Sequence, residues 1–168
     1  LTTIIAIQHD DHCEFLSDSL VNSDGHVYIH KDFQKVTENG KYLIGVAGHL
    51  VALQFIEHVW EPPIPTVHDK KDLFKFVIKK VVPSLRAAIG ASNMFTDKDK
   101  EKDEPLYNLL IAVNGTVFEI DEQLSVAMRD DGLYAIGSGS SYALGALGVG
   151  ATVEQAMKVA AKNDNNKS

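Results

Sequence analysis

Leu1-Thr2-Thr3-Ile4-Ile5-Ala6-Ile7 sets two hydroxyl residues directly before an apolar, β-branched run. Such a run reads as a strand, with Thr2-Thr3 as a β-prone lead into it. The same residues admit a chemical reading. With Leu1 removed, Thr2 carries a hydroxyl and a free α-amine on one residue. An α-amine titrates near pH ~8, so part of it is free base at neutral pH. It can take the proton of its own hydroxyl, which is how an N-terminal threonine is activated as a nucleophile. Taken alone the dipeptide favours the plain strand start, and the choice rests on what the rest of the chain places around it.

Outward from there, Thr3–Gln8 reads as a strand, His9-Asp10-Asp11-His12 as a polar turn and Cys13–Ser17 as the returning strand. A polar stretch, Asp18–Gly25, precedes two short strands at Val27–Ile29 and Phe33–Val36. Asn39-Gly40 is a two-residue hairpin turn that feeds a buried strand, Tyr42–Ala47. After Gly48 the period changes. Leu50, Leu53, Ile56 and Trp60 recur at helical spacing, which predicts a helix from about His49 to Trp60, ended by Pro62, Pro63 and Pro65. A second helix is predicted over about Lys70–Ile89, with Leu73, Phe76, Val77 and Val81 on one face and a kink or break at Pro83.

Thr96–Glu104 is a charge-mixed loop. Leu106–Val113 and Thr116–Ile120 read as strands joined by Asn114-Gly115, followed by strands at Leu124–Met128 and Leu133–Ile136. Gly137-Ser138-Gly139-Ser140 opens a small-residue helix to about Gly148. Thr152-Val153-Glu154-Gln155 is a capping box that starts a last helix, with Val153, Met157 and Ala160 inward, ending near Asn163. Strands, two helices, strands, two helices is α+β order, with helices laid in pairs on two antiparallel sheets in one domain spanning 1–168.

Composition narrows the function. The 168 residues suffice for one domain with a sizeable core, and 45% hydrophobic with 23% charged residues is ordinary for a globular chain. A formal net charge of −7 argues against a nucleic-acid partner. No apolar run reaches the ~18 residues of a membrane span, and no signal-peptide pattern is present, so no membrane association is expected. A single cysteine, Cys13, excludes an intrachain disulfide and favours a reducing, cytoplasmic setting.

Five segments in order make the chain resemble the proteasome β-type branch of the N-terminal-nucleophile hydrolases, including the bacterial heat-shock relative of HslV type. Thr2-Thr3-Ile4-Ile5 is similar to the mature N-terminus of those subunits. Ser17-Asp18-Ser19 resembles the turn that bears the family's acidic residue. His30-Lys31-Asp32-Phe33-Gln34-Lys35-Val36 resembles the segment with its active-site lysine. Gly45-Val46-Ala47-Gly48 resembles the strand-to-helix turn that supplies an oxyanion-binding amide. Ala135-Ile136-Gly137-Ser138-Gly139-Ser140 resembles the Gly-Ser-Gly turn beside the nucleophile. The resemblance covers nearly the whole chain. It implies a four-layer αββα sandwich of two antiparallel sheets flanked by helix pairs.

It also implies roles. Thr2 supplies the hydroxyl and its own amine the base. Lys35 lowers the hydroxyl pKa by its charge, and Asp18 orients Lys35. The Gly48 N–H receives the developing oxyanion, a donor worth ~3 kcal/mol in a transition state. Ser138 places the Thr2 amine. Val21 and Asn22 flank the cleft, Asn22 pairing with an extended substrate backbone, and Val46 lines an apolar first pocket. The implied activity is a threonine-type endopeptidase acting on peptide or unfolded polypeptide without a cofactor. The implied assembly is a homo-oligomeric ring, served by an ATP-dependent unfoldase.

The chain departs from the pattern in places. While Leu1 remains, the Thr2 nitrogen is an amide and cannot act as a base. His49 stands where many relatives have an acidic or small residue. Relatives carry an Asp and a Ser three residues apart after the last matched helix, then further strands. Ungapped, those positions fall on Asn165 and Ser168, and a one-residue slip substitutes Asp164, the supporting acid favoured here. The closing strands are expected beyond the last residue given.

Other patterns are read as structural. His9-Asp10-Asp11-His12 lies in a turn with no third ligand evident, so no metal site is expected. Asp97–Glu104 has Lys102 where a calcium loop needs glycine. Cys13 reads as a small strand hydrophobe. Gly145, Gly148 and Gly150 follow no strand and make no dinucleotide fingerprint. Two alternatives stand beside the peptidase: a non-catalytic or unprocessed subunit of a proteasome-like assembly, and an amidohydrolase acting on a small amide.

Overall fold

The computed structural model describes residues 2–23, 26–29, 34–96 and 107–164. Ten strands and their helices alternate in two halves. The first half holds β1 (Ile4–Gln8), β2 (Cys13–Ser17), β3 (Leu20–Ser23), β4 (His26–Ile29), β5 (Val36–Asn39) and β6 (Tyr42–Gly48). Helices α1 (Leu50–His58), α2 (Leu73–Phe76) and α3 (Val82–Ala91) follow. The second half holds β7 (Tyr107–Val113), β8 (Thr116–Ile120), β9 (Val126–Ala127), β10 (Leu133–Ile136), α4 (Ser140–Gly148) and α5 (Val153–Asn163).

All strand pairs are antiparallel. They form a sheet ordered β10-β1-β2, a hairpin β3-β4 and a sheet ordered β5-β6-β7-β8-β9. Two-residue alternation explains the layers. In β1, Ile4 and Ala6 face Leu110, Ala112 and Val117 of the larger sheet. Ile5 and Ile7 face the other way, onto Ala143, Leu147, Ala156 and Ala160 of α4 and α5. In β7, Leu109, Ile111 and Val113 turn outward to Phe55, Ile56, Val77 and Leu85 of the α1–α3 layer. The result is α4/α5, small sheet, large sheet, α1–α3: the four-layer αββα sandwich. Alanines at the α4/α5 contact let those helices lie close on β1.

The capping box at Thr152 and Gln155 is formed, and α5 ends at Asn163 as expected. Some expectations change. The strand expected at Phe33–Val36 begins at Val36, with Phe33 outside the described residues. Leu20–Ser23, expected within a polar connection, is a strand paired with β4. Leu50, expected on the inner face of α1, is 36% exposed, while Leu53, Ile56 and Trp60 are buried. Pro83 does not break its helix either. The turn before it, Val77–Val81, widens so that the Val82 N–H reaches back to the Val77 carbonyl. A π turn of this kind makes room for a ring that has no N–H to donate and would clash with the preceding turn. Among the described residues, no helix is long and apolar enough to cross a membrane. Of the loop expected over Thr96–Glu104, residues 97–104 lie outside them.

Candidate active site

The two halves of the chain meet at the start of β1. Asp18 leaves β2 opposite Thr3, and the Asp18 N–H donates to the Thr3 carbonyl at 3.1 Å. The Thr3 N–H donates in return to Asp18 Oδ2. The other carboxylate oxygen, Oδ1, accepts from Lys35 Nζ at 2.6 Å. The side chains are 5% (Lys35) and 18% (Asp18) exposed. Burying an ammonium is costly unless a counter-charge offsets it, and Asp18 provides that charge. The Lys35 backbone is fixed as well, since its carbonyl accepts from the Val46 N–H at 2.9 Å, extending the β5–β6 ladder by one step.

From the opposite side, β10 delivers Ser138 and the end of α5 delivers Asp164. The Thr2 nitrogen donates to Ser138 Oγ at 3.2 Å, and Ser138 Oγ donates to Asp164 Oδ2 at 2.6 Å. A hydroxyl has one proton, so donating to the carboxylate leaves its lone pairs facing the Thr2 nitrogen. Asp164 is 5% exposed. Gly137 makes the close approach possible: its φ is +92°, and a Cβ there would lie 2.1 Å from the Thr2 carbonyl oxygen. A side chain is excluded on both counts.

Asp18 and Lys35, held at Thr3, and Ser138 and Asp164, held at Thr2, thus meet from distant parts of the chain at one strand end. Gly48 ends β6, exposed, with φ +150°, and α1 begins two residues later. Val46, on the same strand, is 4% exposed and belongs to the core beneath α1. Val21 and Asn22 are on β3, three and four residues after Asp18, opposite Tyr28 and Val27. Asn165 and Ser168 lie outside the described residues, as does Leu1. Asp164, the C-terminal candidate among the described residues, has its carboxylate on the Ser138 hydroxyl.

One residue, Thr3, acquires a part that the sequence did not suggest. Thr3, taken as a strand start, is 3% exposed and binds Asp18 through both backbone groups. Its signal is the doubled threonine before a strand. Ser138, which taken alone suits a helix N-cap, does not cap α4; Gly139 holds that position and the serine hydroxyl is turned to Thr2 instead. A groove of about 780 Å³ opens between the edge strands β2 and β5, beside Phe15, Leu16, Val36 and Leu43. Thr2, Gly48 and Ser138 are not among the residues that line it.

No protein-family model and no curated protein sequence matches the chain. Solved structures do. The chain is similar to BPH of Thiobacillus denitrificans at 19% identity over 96% of this chain and 90% of that one, with a TM-score of 0.67. HslV from Trypanosoma brucei matches at 21% identity over 96% and 91%, with a TM-score of 0.60. Anbu, the ancestral β-subunit from Yersinia bercovieri, matches at 17% identity over 98% and 76%, with a TM-score of 0.63. The chain has the fold of these proteasome-related N-terminal-nucleophile proteins.

Proposed function

We propose that this chain is a threonine-type peptidase whose nucleophile is Thr2. The observation that carries the reading is the double tether of one strand start: Asp18 and Lys35 on one side, Ser138 and Asp164 on the other. A strand start with only a structural role gains nothing from a buried lysine or from a serine–carboxylate pair aimed at its nitrogen. In support, a solved structure with this fold, BPH of T. denitrificans, is described in complex with epoxomicin.

The chemistry starts once Leu1 is removed. The Thr2 amine takes the proton of the Thr2 hydroxyl as Oγ1 attacks the peptide carbonyl carbon. Lys35 stabilises the developing alkoxide by charge, and Asp18 keeps the ammonium in place. The Gly48 N–H receives the oxyanion. As the C–N bond breaks, the leaving amine takes the proton held by the Thr2 amine, and an ester on Thr2 remains. Water, deprotonated by the same amine, then hydrolyses the ester and restores the hydroxyl. Ser138, polarised by Asp164, fixes the lone pair of the amine toward Oγ1. Val21 and Asn22 flank the substrate and Val46 forms the floor of its first pocket.

The substrate class is peptide or unfolded polypeptide. The assembly that suits it is a homo-oligomeric ring in the cytoplasm, fed by an ATP-dependent unfoldase. Phe74 and Ile78, four residues apart on one helix face, stay 40% and 45% exposed on the outer layer. Such apolar surface is of the kind that subunit contacts cover.

The test is intact mass before and after exposure to a peptide epoxyketone, with Thr2→Ala as control. Loss of Leu1 and one adduct per chain, abolished in Thr2→Ala, is expected. A retained Leu1 with no adduct sinks the reading and leaves a non-catalytic or unprocessed subunit.

A further inference from the structure

The other end of β1 carries a second polar cluster, unused by the chemistry above. The β1–β2 hairpin closes through the His9 N–H, which donates to the His12 carbonyl at 2.8 Å. Gln8 pairs with Cys13 and Ile7 with Glu14, so His9 stands opposite His12 at the tip. Two-residue alternation then puts Glu14 on the same face as both histidines. The rings of His9 and His12 stack, with centroids 4.3 Å apart and planes 17° from parallel. His9 Nε2 is 3.5 Å from Glu14 Oε2, and His12 Nε2 is 3.8 Å from Glu14 Oε1. One donor atom from each of the three lies within 4.8 Å of the others. The expectation that no third ligand accompanies the two histidines is therefore corrected: Glu14, on the returning strand, supplies it.

A fourth side chain sets the histidine chemistry. Asp11 Oδ1 lies 2.6 Å from His12 Nδ1. A carboxylate only accepts, so in the neutral ring the proton sits on Nδ1 and the lone pair on Nε2, the nitrogen that faces Glu14. Outer-shell carboxylates of this kind orient metal-binding imidazoles. Donors around a tetrahedral ion with bonds of about 2.0–2.1 Å lie roughly 3.3 Å apart, so small side-chain rotations close the present spacing.

We propose that His9, His12 and Glu14 form a surface site for a late first-row divalent cation, zinc above all, with Asp11 as the outer-shell carboxylate and the fourth position open to water. Two imidazoles and one carboxylate suit zinc, nickel or copper; calcium and magnesium favour all-oxygen sets. A bound ion ties β1 to β2 at the tip, so it stabilises the folded chain by mass action.

The test uses the full chain without a histidine tag, titrated with zinc chloride at pH 7.5 by calorimetry against a competing chelator. One ion per chain is expected. His9→Ala, His12→Ala and Glu14→Gln should each weaken it at least about tenfold, and Asp11→Asn by about tenfold. Zinc should raise the Tm of the wild type and leave that of His12→Ala unmoved. The ring NMR signals of His9 and His12 should shift first on addition of one equivalent. Absence of stoichiometric binding overturns the site. So does binding unchanged in His12→Ala, or lost only when another histidine such as His49, His58 or His68 is replaced. Unchanged affinity in Asp11→Asn removes Asp11 from it.

Discussion

The two ends of β1 are polar clusters of opposite construction. At the Thr2 end, charges are buried and each is tied to a partner contributed by a different part of the chain: β2, the segment before β5, the β10–α4 turn and the end of α5. At the His9 end, the histidines and carboxylates are exposed, and every partner comes from within six residues of sequence. The first cluster depends on the whole fold and the second on one hairpin. Their responses to mutation should differ accordingly.

The widest gap is expected between two carboxylate deletions. Asp18→Ala leaves Lys35 buried without its counter-charge and should cost about 3–5 kcal/mol in denaturant unfolding. Glu14→Ala removes an exposed group and should stay within about 0.5 kcal/mol. The double variant Asp18→Ala/Lys35→Met removes both charges and should recover part of the loss; no recovery would mean that the Thr3 contact, not charge burial, dominates.

Backbone space gives the next test. Gly137 and Gly115 both have positive φ, +92° and +78°, but only at Gly137 does a Cβ meet another residue. Gly115→Ala should cost about 1 kcal/mol. Gly137→Ala should cost about 2–3 kcal/mol, because strain and collision act together. Equal Tm losses would break the claim that the Thr2 end is crowded.

Ser138→Ala removes a hydroxyl bonded to a buried carboxylate and should cost about 1.5–3 kcal/mol. Inhibitor adduct formation should fall more steeply than stability in this variant, since the serine also places the Thr2 nitrogen.

The smallest effect belongs to the hairpin tip. The hydrogen bond to Asp11 raises the His12 pKa above 6.5. A raised histidine favours the folded state below about pH 6.5, and that contribution is lost as pH rises through the folded value. NMR titration should therefore give a His12 midpoint above 6.5, returning toward it in Asp11→Asn, while the Tm values of wild type and His12→Ala coincide at pH 8.

Most of the fold was legible because it rests on local pattern. Tyr107–Val113 and Thr116–Ile120 are apolar runs about an Asn-Gly turn, and Thr152 with Gln155 is a complete local cap. Leu20–Ser23 was not legible, because Asp18, Ser19, Asn22 and Ser23 mask its alternation; the Asp24-Gly25 pair between it and His26 was the usable signal. Pro83 pointed to a kink or break, whereas one widened turn absorbed the missing N–H. The candidate site was legible only through the order of five short motifs, each weak alone. Glu14 was missed because it has no motif, only a position, and Thr3 because its doubled threonine reads equally as a strand start.

By itself, then, the sequence determined most of the strands, helices and turns, since hydrophobic period, prolines and Asn-Gly pairs act within a few residues. Tertiary structure alone decided which polar groups meet. Ser138 became a partner of Thr2 rather than a helix cap because β10 pairs with β1. Asp164 meets that serine because α5 ends where its carboxylate reaches the hydroxyl. Glu14 joined two histidines because strand register, invisible in composition, set it on their face.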